Sequence, residues 1–195
     1  MVQQEHPVPH KFVAVSWTEI EELCISVAEK IRKAGIKVDV IIGVLRGGWI
    51  PARLLSDYLG VERMGAIGVK FYRGVGEAGE RPIVTQPLVL DIRDLNVLVV
   101  DDVADTGKTL NTVTNFLTLY GPKHIYTATL YVKPWSIVTP DFYAAITDAW
   151  IIFPWDKAET FEELVNLRGF SIEEVSRISG ESVEKIKRLL RTRRR

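Results

Sequence analysis

The chain has 195 residues, of which 47% are hydrophobic, so it can bury the core of one domain and general disorder is excluded. It carries 25 basic and 25 acidic residues, and this balance excludes a global field that would attract nucleic acid or an anionic membrane. The N-terminus lacks a basic region followed by an apolar core, and no apolar run approaches ~18 residues, so we expect neither export nor membrane insertion. The single cysteine, Cys24, permits no internal disulfide, and we expect a cytoplasmic protein.

The first half of the chain predicts helices and strands in alternation. Ser16 and Glu19 form a capping box, and apolar residues then recur at helical spacing up to Gly35, with Cys24 on the buried face. The segments "VDVIIGVL" and "AIGVKFY" are predicted strands, separated by a glycine turn and an amphipathic helix in "RGGWIPARLLSDYLG". The segment Arg73–Pro82 combines small and charged residues, so we expect an exposed, mobile loop.

The second half continues the alternation. Val97–Val100 is apolar without interruption, which predicts a strand that is buried on both faces. A helix is predicted from Thr109 to about Tyr120, followed by the strand "HIYTATLYV" and a tryptophan-rich segment, "DAWIIFPWD". This order predicts an α/β fold with a mainly parallel, twisted sheet covered by helices on both faces. In such a sheet the ligand binds at the C-terminal ends of the strands.

The sequence changes character near residue 159. The end of the chain predicts two short helices around Gly180, and its last eleven residues carry seven positive charges and no negative one. We therefore expect a main domain at residues 1–158 and a C-terminal helical appendage with a basic tail at residues 159–195.

The stretch "VLVVDDVADTGKTL" carries the chemistry of the predicted site. It places two adjacent carboxylates, Asp101 and Asp102, at the end of the buried strand, and a hydroxyl-rich turn before the next helix. The N–H groups of such a turn hold a phosphate, whereas the carboxylates would repel one unless the ligand brings sugar hydroxyls or a divalent metal. "TGKT" resembles the end of a Walker loop, but Asp102 stands where that loop requires a glycine, five residues before Gly107. A nucleotide kinase or ATPase is therefore disfavoured.

"VVDDVADTGKTL" resembles the phosphoribosyl-diphosphate (PRPP) signature of type I phosphoribosyltransferases, and the resemblance extends from about Phe12 to Asp156. "YVKPW" and "AWIIFPWD" resemble the base-binding hood of the xanthine-guanine and hypoxanthine-guanine branch. The resemblance implies the type I fold with a small hood in residues 1–158. It also implies Mg²⁺-dependent transfer of 5-phosphoribosyl from PRPP to N9 of guanine, xanthine or hypoxanthine in purine salvage, with release of diphosphate, by a homodimer or homotetramer.

The resemblance also implies roles for individual residues. Asp105 would take or share the N7 proton of the purine, as the general base. The residues implied to contact PRPP are Asp101, Asp102, Ala104, Asp105, Thr106, Gly107, Lys108 and Thr109. Those implied for diphosphate are Arg46, Gly47 and Lys70, and those for the base are Lys133, Trp150 and Ile151. Asp101 and Asp102 would face the metal, with Asp156 as a weaker candidate that could equally be a surface acid.

Two further features follow from the same resemblance. A cis peptide bond is implied between Leu45 and Arg46, in the diphosphate loop "GVLRGGW". The segment Arg73–Pro82 would be the lid that excludes water from the reacting ribose carbon.

A PRPP-sensing transcriptional regulator on the same fold is the alternative function. The helix-turn-helix-like pair and the basic tail at the end of the chain favour it. Short terminal helices more often pack on the parent domain or on a dimer mate, and Asp105 and Lys133 would be superfluous in a sensor without chemistry. The enzyme is therefore favoured, and nucleic acid is not expected as a partner.

Overall fold

The computed structural model describes residues 11–72 and 81–193. Its strands are β1 (Phe12–Ala14), β2 (Val40–Leu45), β3 (Met64–Tyr72), β4 (Arg81–Gln86), β5 (Asn96–Ala104), β6 (His124–Val132), β7 (Phe142–Ile146) and β8 (Trp150–Ile152). Its α-helices are α1 (Trp17–Lys33), α2 (Trp49–Leu59), α3 (Lys108–Thr118), α4 (Lys157–Glu162), α5 (Ile172–Ser179) and α6 (Val183–Arg193), and a π-helical turn, Glu163–Leu167, follows α4.

Six strands form one sheet in the order β4-β3-β2-β5-β6-β7. All neighbours run parallel except β3 and β4, which form an antiparallel hairpin. The apolar residues of Val40–Val44 and Val97–Val100 are at most 2% exposed, as uninterrupted apolar strands in a covered parallel sheet should be. Gly43 and Val100 are the last residues that pair between β2 and β5, and both strands continue beyond this pair. The predicted, mainly parallel α/β fold is confirmed.

The chain forms two compact units. The larger unit, residues 20–147, contains the six-stranded sheet, and its core includes the buried apolar residues of β2, β5 and α3. The predicted capping box is present at the start of α1, because the Glu19 amide donates to Ser16 Oγ at 3.2 Å and the Ser16 amide donates to Glu19 Oε2 at 2.7 Å. Cys24 is buried on α1 as predicted, and burial raises the pKa of its thiol to about 12.

The smaller unit combines residues 1–19 with residues 148–195. Within it, β1 pairs in parallel with β8, and Ile152 of β8 shares a core with Phe161, Leu164, Val175 and Ile186. The two helices predicted around Gly180 are α5 and α6, and Gly180 has the left-handed conformation that ends α5. The apolar faces of these helices cover β8. A strand of three residues is too short to form a core without them.

The predicted domain boundary between residues 158 and 159 does not coincide with this division. It falls inside α4, and both sides of it contribute to the core around Ile152. Residues 159–193 are therefore joined to β1 and β8 by shared apolar packing, which the change in sequence character did not reveal.

The predicted loop Arg73–Pro82 is shorter at its C-terminal end, because Arg81 and Pro82 belong to β4, where Arg81 pairs with Tyr72. The rest of this predicted lid, residues 73–80, lies outside the described residues. Within residues 11–72 and 81–193, the structure contains no helix long and apolar enough to cross a bilayer.

Candidate active site

The two carboxylates of the site lie near the end of β5. Asp101 is only 8% exposed, and its Oδ1 accepts a hydrogen bond from the Asp102 amide at 3.0 Å. Asp102 Oδ1 accepts in turn from the Val103 amide at 2.8 Å. Burial, followed by the charge of Asp102, raises the pKa of Asp101 above its ordinary value. Burial has removed water from this carboxyl group. A hydroxyl donor or a cation at this position would replace the interactions that water makes with it.

The glycine turn after β2 packs directly against these carboxylates. The expected cis peptide bond between Leu45 and Arg46 is present. A Cβ atom on Gly47 would collide with the carboxylate of Asp102, and a Cβ atom on Gly48 would collide with the backbone of Val100 and Asp101 in β5. Arg46 is exposed at this turn, and α2 begins directly after it. Only glycine permits so close an approach of backbone to carboxylate.

The turn between β5 and α3 has the geometry of an anion site. Gly107 precedes α3 with a φ of 77°, a left-handed conformation that glycine adopts without strain. Its carbonyl accepts from the Asn111 amide at 3.1 Å, and the Lys108 amide donates to Thr106 Oγ1 at 3.4 Å. The amides that follow Lys108 in the first turn of α3 have no partner within the helix, so they could bind a phosphate.

The segment that follows β6 is held against this turn. The Lys133 amide donates to the Ala104 carbonyl at 3.0 Å, and the Ile137 amide donates to the Thr106 carbonyl at 3.1 Å. A Cβ atom on Gly107 would lie 2.7 Å from Ser136 Oγ. The strand end that carries Lys133 is therefore fixed to the predicted phosphate turn.

A tryptophan that the sequence did not single out joins these two segments. Trp135 Nε1 donates to Asp105 Oδ1 at 2.9 Å, and Lys133 Nζ lies 5.6 Å from the centroid of the Trp135 ring. In the sequence, its position three residues after a predicted strand is the one feature that could have marked Trp135 as a site residue. Its partner Asp105 is exposed, whereas Lys133 is only 7% exposed.

Most of the predicted site residues lie in the unit of residues 20–147. The structure brings the β5 carboxylates, the glycine turn, the phosphate turn and Lys133 together at the C-terminal ends of β2, β5 and β6. Lys70 is exposed on β3, two residues beyond Gly68, which pairs with Leu45.

The remaining predicted residues lie in the unit of residues 1–19 and 148–195. Trp150 is partly buried, and the Arg168 guanidinium lies 5.2 Å from the centroid of its ring. Ile151 is buried and pairs with Val13. Asp156 immediately precedes α4, where Thr160 Oγ1 donates to its Oδ1 at 3.5 Å. Asp156 thus occupies the N-cap position of α4, but its side chain makes no capping hydrogen bond.

The architecture and site define a known class of protein. The family model described as "Phosphoribosyl transferase domain" matches residues 16–161, so the chain belongs to the phosphoribosyltransferase family. This assigns it to the enzymes that transfer a pentosyl group.

Individual relatives narrow the comparison. The chain is 33% identical over 162 residues to the xanthine-guanine phosphoribosyltransferase of Cereibacter sphaeroides. This match covers 80% of this chain and 94% of that protein. It is 46% identical to the purine phosphoribosyltransferase of Pyrococcus horikoshii, with a TM-score of 0.67, over 74% of this chain and 94% of that structure. It is 28% identical to a Neisseria gonorrhoeae protein solved with bound ppGpp, with a TM-score of 0.72, over 90% of this chain and 98% of that structure.

Proposed function

We propose that the chain transfers the 5-phosphoribosyl group of PRPP to N9 of a 6-oxopurine, guanine, xanthine or hypoxanthine, and releases diphosphate in purine salvage. The observation that carries this proposal is the attachment of the Lys133 strand end to the turn Asp105–Thr109, beside the carboxylates of β5. The groups that we assign to the purine and to the sugar phosphate would thereby be adjacent. The relatives named as purine and xanthine-guanine enzymes support the same substrate class.

PRPP is assigned to the residues of β5 and the following turn. Amides and hydroxyls of Ala104–Thr109 would hold the 5′-phosphate at the start of α3. Asp101 and Asp102 would accept hydrogen bonds from the 2′ and 3′ hydroxyls of the ribose. Desolvation of Asp101 supports this role, because hydroxyl donors would restore the hydrogen bonds that its carboxyl group lost on burial.

The diphosphate is assigned to the glycine turn. Backbone amides at Gly47 and the side chain of Arg46 would bind its oxygens, with Lys70 as a further cation. The donor set fits Mg²⁺, which prefers oxygen ligands and combines one or two carboxylates with substrate phosphates. Asp101 and Asp102 would hold the ion, with Asp156 as a weaker candidate. When bound, Mg²⁺ neutralises charge on the diphosphate. Within the described residues, no three His, Cys, Asp or Glu side chains cluster for a metal, so the substrate would supply the other ligands.

The reaction forms the bond from purine N9 to C1′ of the ribose and breaks the bond from C1′ to the diphosphate oxygen. Positive charge develops on the ribose as the diphosphate leaves, and Arg46 and the loop amides would stabilise the leaving group. The purine loses a proton, which Asp105 would take or share at N7.

The base is assigned to residues of both units. Lys133 would donate to O6, Trp150 would stack on the ring, and the backbone of Ile151 would read the base edge. Adenine is disfavoured, because its 6-amino group offers donors that the Lys133 ammonium cannot accept.

A PRPP-sensing regulator is not favoured. The relatives named above include two enzymes, and the helices α5 and α6 share a core with Ile152. Packing of this pair on its own unit gives it a structural role without DNA.

The proposal includes a homodimer or homotetramer in the cytoplasm, in keeping with the single, unpaired Cys24. Light scattering during size-exclusion chromatography would determine the oligomeric state.

The function is tested by mixing the chain with PRPP, Mg²⁺ and one base at a time, and by measuring diphosphate release. We expect turnover with at least one of guanine, xanthine and hypoxanthine, and little with adenine or orotate. An absence of turnover with every purine, combined with retention on duplex DNA at physiological salt, would favour the regulator.

A further inference from the structure

Trp135 contacts two side chains to which the proposed function assigns the purine. Its Nε1 donates to Asp105 Oδ1 at 2.9 Å, and the ammonium of Lys133 lies 5.6 Å from its ring centroid. These are the proposed partners of N7 and O6. One side chain, which is itself 54% exposed, therefore bridges the acceptor and the donor that would read the purine edge.

The backbone holds this indole in place. The Ser136 amide donates to the Lys133 carbonyl at 3.0 Å, which closes a turn with Pro134 at the second position and Trp135 at the third. Proline favours the second position of such a turn because its φ is already fixed. The amides of Lys133, which opens the turn, and of Ile137, which follows it, anchor the segment to Ala104 and Thr106. The contact of Trp135 with Asp105 thus lies in a segment that backbone hydrogen bonds hold in place.

The chemistry of the contact fixes its direction. The indole N–H can only donate, and an ionised carboxylate can only accept, so the pair has one arrangement. The indole occupies Asp105 Oδ1 and leaves Oδ2 for the substrate. The face of an aromatic ring attracts an ammonium group, so the ring also restricts the Lys133 side chain.

We propose that Trp135 is a positioning residue that sets the placement of both Asp105 and Lys133 and so favours 6-oxopurines over 6-aminopurines. This inference rests on the proposed function. A 6-oxopurine presents an acceptor at O6 beside a proton donor at N7, and this pattern complements an ammonium and a carboxylate held on either side of one indole. A 6-aminopurine presents a donor where Lys133 requires an acceptor.

Two substitutions separate the two contacts. Trp135→Phe keeps an aromatic face for Lys133 but removes the N–H, so we expect kcat to fall about 3- to 10-fold with little change in the KM of guanine. Trp135→Leu removes both contacts, so the KM of guanine should also rise about 5-fold or more and the preference for guanine over adenine should narrow. The dissociation constant of PRPP, measured by calorimetry, should stay within about twofold in both variants.

Ile137→Ala is the matched control, because Ile137 lies two residues further along the same segment and is 68% exposed. It should leave kcat, KM and the melting temperature near those of the parent. A general loosening of the segment would instead change all three variants alike and would weaken PRPP binding, which would overturn the inference.

A double-mutant cycle tests the link to Lys133. If the indole acts through Lys133, the losses from Trp135→Leu and Lys133→Met should be clearly non-additive in kcat/KM. Additive losses, or a Trp135→Phe variant with parental kcat, would show that Trp135 does not position these groups.

An activity-independent measurement uses the indole N–H resonance of Trp135, assigned with the Trp135→Phe variant. It should shift when Asp105 is changed to Ala, and an unmoved resonance would contradict the contact. An inactive parent enzyme would overturn the proposed function, whereas an active parent with a normal Trp135→Phe variant would overturn this inference alone.

Discussion

At the scale of single residues, the site depends on carboxylates in different surroundings. Asp101 is buried at the end of β5, whereas Asp105 is exposed and accepts from an indole. The first environment suits a group that receives hydroxyl donors, and the second suits a group that exchanges a proton with an incoming base. The five residues from Asp101 to Asp105 therefore contain both a buried and an exposed carboxylate.

The division of labour within this motif can be tested by removing each charge. Asp105→Asn keeps the shape and an oxygen for Trp135 but removes basicity, so kcat should fall by about 10²-fold while PRPP affinity survives. Changing both Asp101 and Asp102 to Asn should weaken PRPP binding and catalysis together. The measurements are steady-state kinetics and calorimetric titration with PRPP.

A purine analogue with carbon at position 7 provides the control, because it offers no N7 proton. It should be a poor substrate for the parent and relatively insensitive to Asp105→Asn. Loss of PRPP binding on Asp105→Asn, with an unchanged preference among purines, would assign Asp105 to the sugar and phosphate instead.

Asp101 should also make stability depend on pH. Burial and the charge of Asp102 raise the pKa of Asp101 above its unfolded value. The folded chain therefore keeps this proton at pH values where the unfolded chain has lost it, and stability falls as pH rises through that interval. In the free enzyme, Asp101→Asn should remove this decrease and raise the melting temperature at neutral pH, by about 2–4 °C if the gain is roughly 1 kcal/mol.

Thermal unfolding between pH 4 and pH 8 would measure this effect, with Asp57→Asn at an exposed carboxylate as the control. Equal pH dependence in the parent and in Asp101→Asn would contradict it. A more stable variant without activity would show that the site keeps a destabilising carboxylate for its function.

At the scale of elements, the glycine turn after β2 and the end of β5 form one structure. Gly47→Ala would place a Cβ atom into the Asp102 carboxylate, so the turn or the side chain must move. We expect PRPP affinity to fall about tenfold or more, as measured by calorimetry. Gly35→Ala is the control, because it has open space but a φ of 67°, so it destabilises the chain without contacting the site. Similar PRPP affinity in the two variants would contradict this account.

The same elements show what the sequence could predict. The strands β2 and β5 were predictable because a short uninterrupted apolar run is typical of a strand buried on both faces. Asp101 and Asp102 were predicted as site residues because they directly follow the run in β5. β1 and β8, of three residues each, were not predicted, because so short a strand has no periodicity. The contact between Trp135 and Asp105 joins residues 30 apart in sequence, and no local pattern reports such a contact.

At the scale of the whole molecule, the proposed substrate residues are unevenly distributed over the two compact units. The larger unit, residues 20–147, contains the set around Asp101 and two of the groups proposed for the purine, Asp105 and Lys133, whereas Trp150 and Ile151, also proposed for the purine, belong to the smaller unit. The stability of the smaller unit comes from the core around Ile152. Perturbing that core should therefore affect one substrate more than the other.

Ile186→Ala tests this separation. Ile186 is fully buried against the core that includes Phe161, and its truncation should destabilise the unit by about 2–5 kcal/mol. The KM of the purine should rise, while PRPP affinity should stay within about twofold. Lys187→Ala, at the exposed neighbouring residue, should change neither. Equal loss of purine and PRPP binding in a folded Ile186→Ala variant would refute this separation.

The burial of Cys24 makes the protein suitable for site-specific labelling at an introduced cysteine. Cys24 is the only cysteine, and a thiol with a pKa of about 12 forms almost no thiolate at neutral pH. The native chain should therefore react slowly with maleimides and with Ellman's reagent until it is unfolded. A cysteine introduced on any exposed position would be the single fast-reacting thiol, so a fluorophore or spin label could report substrate binding without the removal of a native residue.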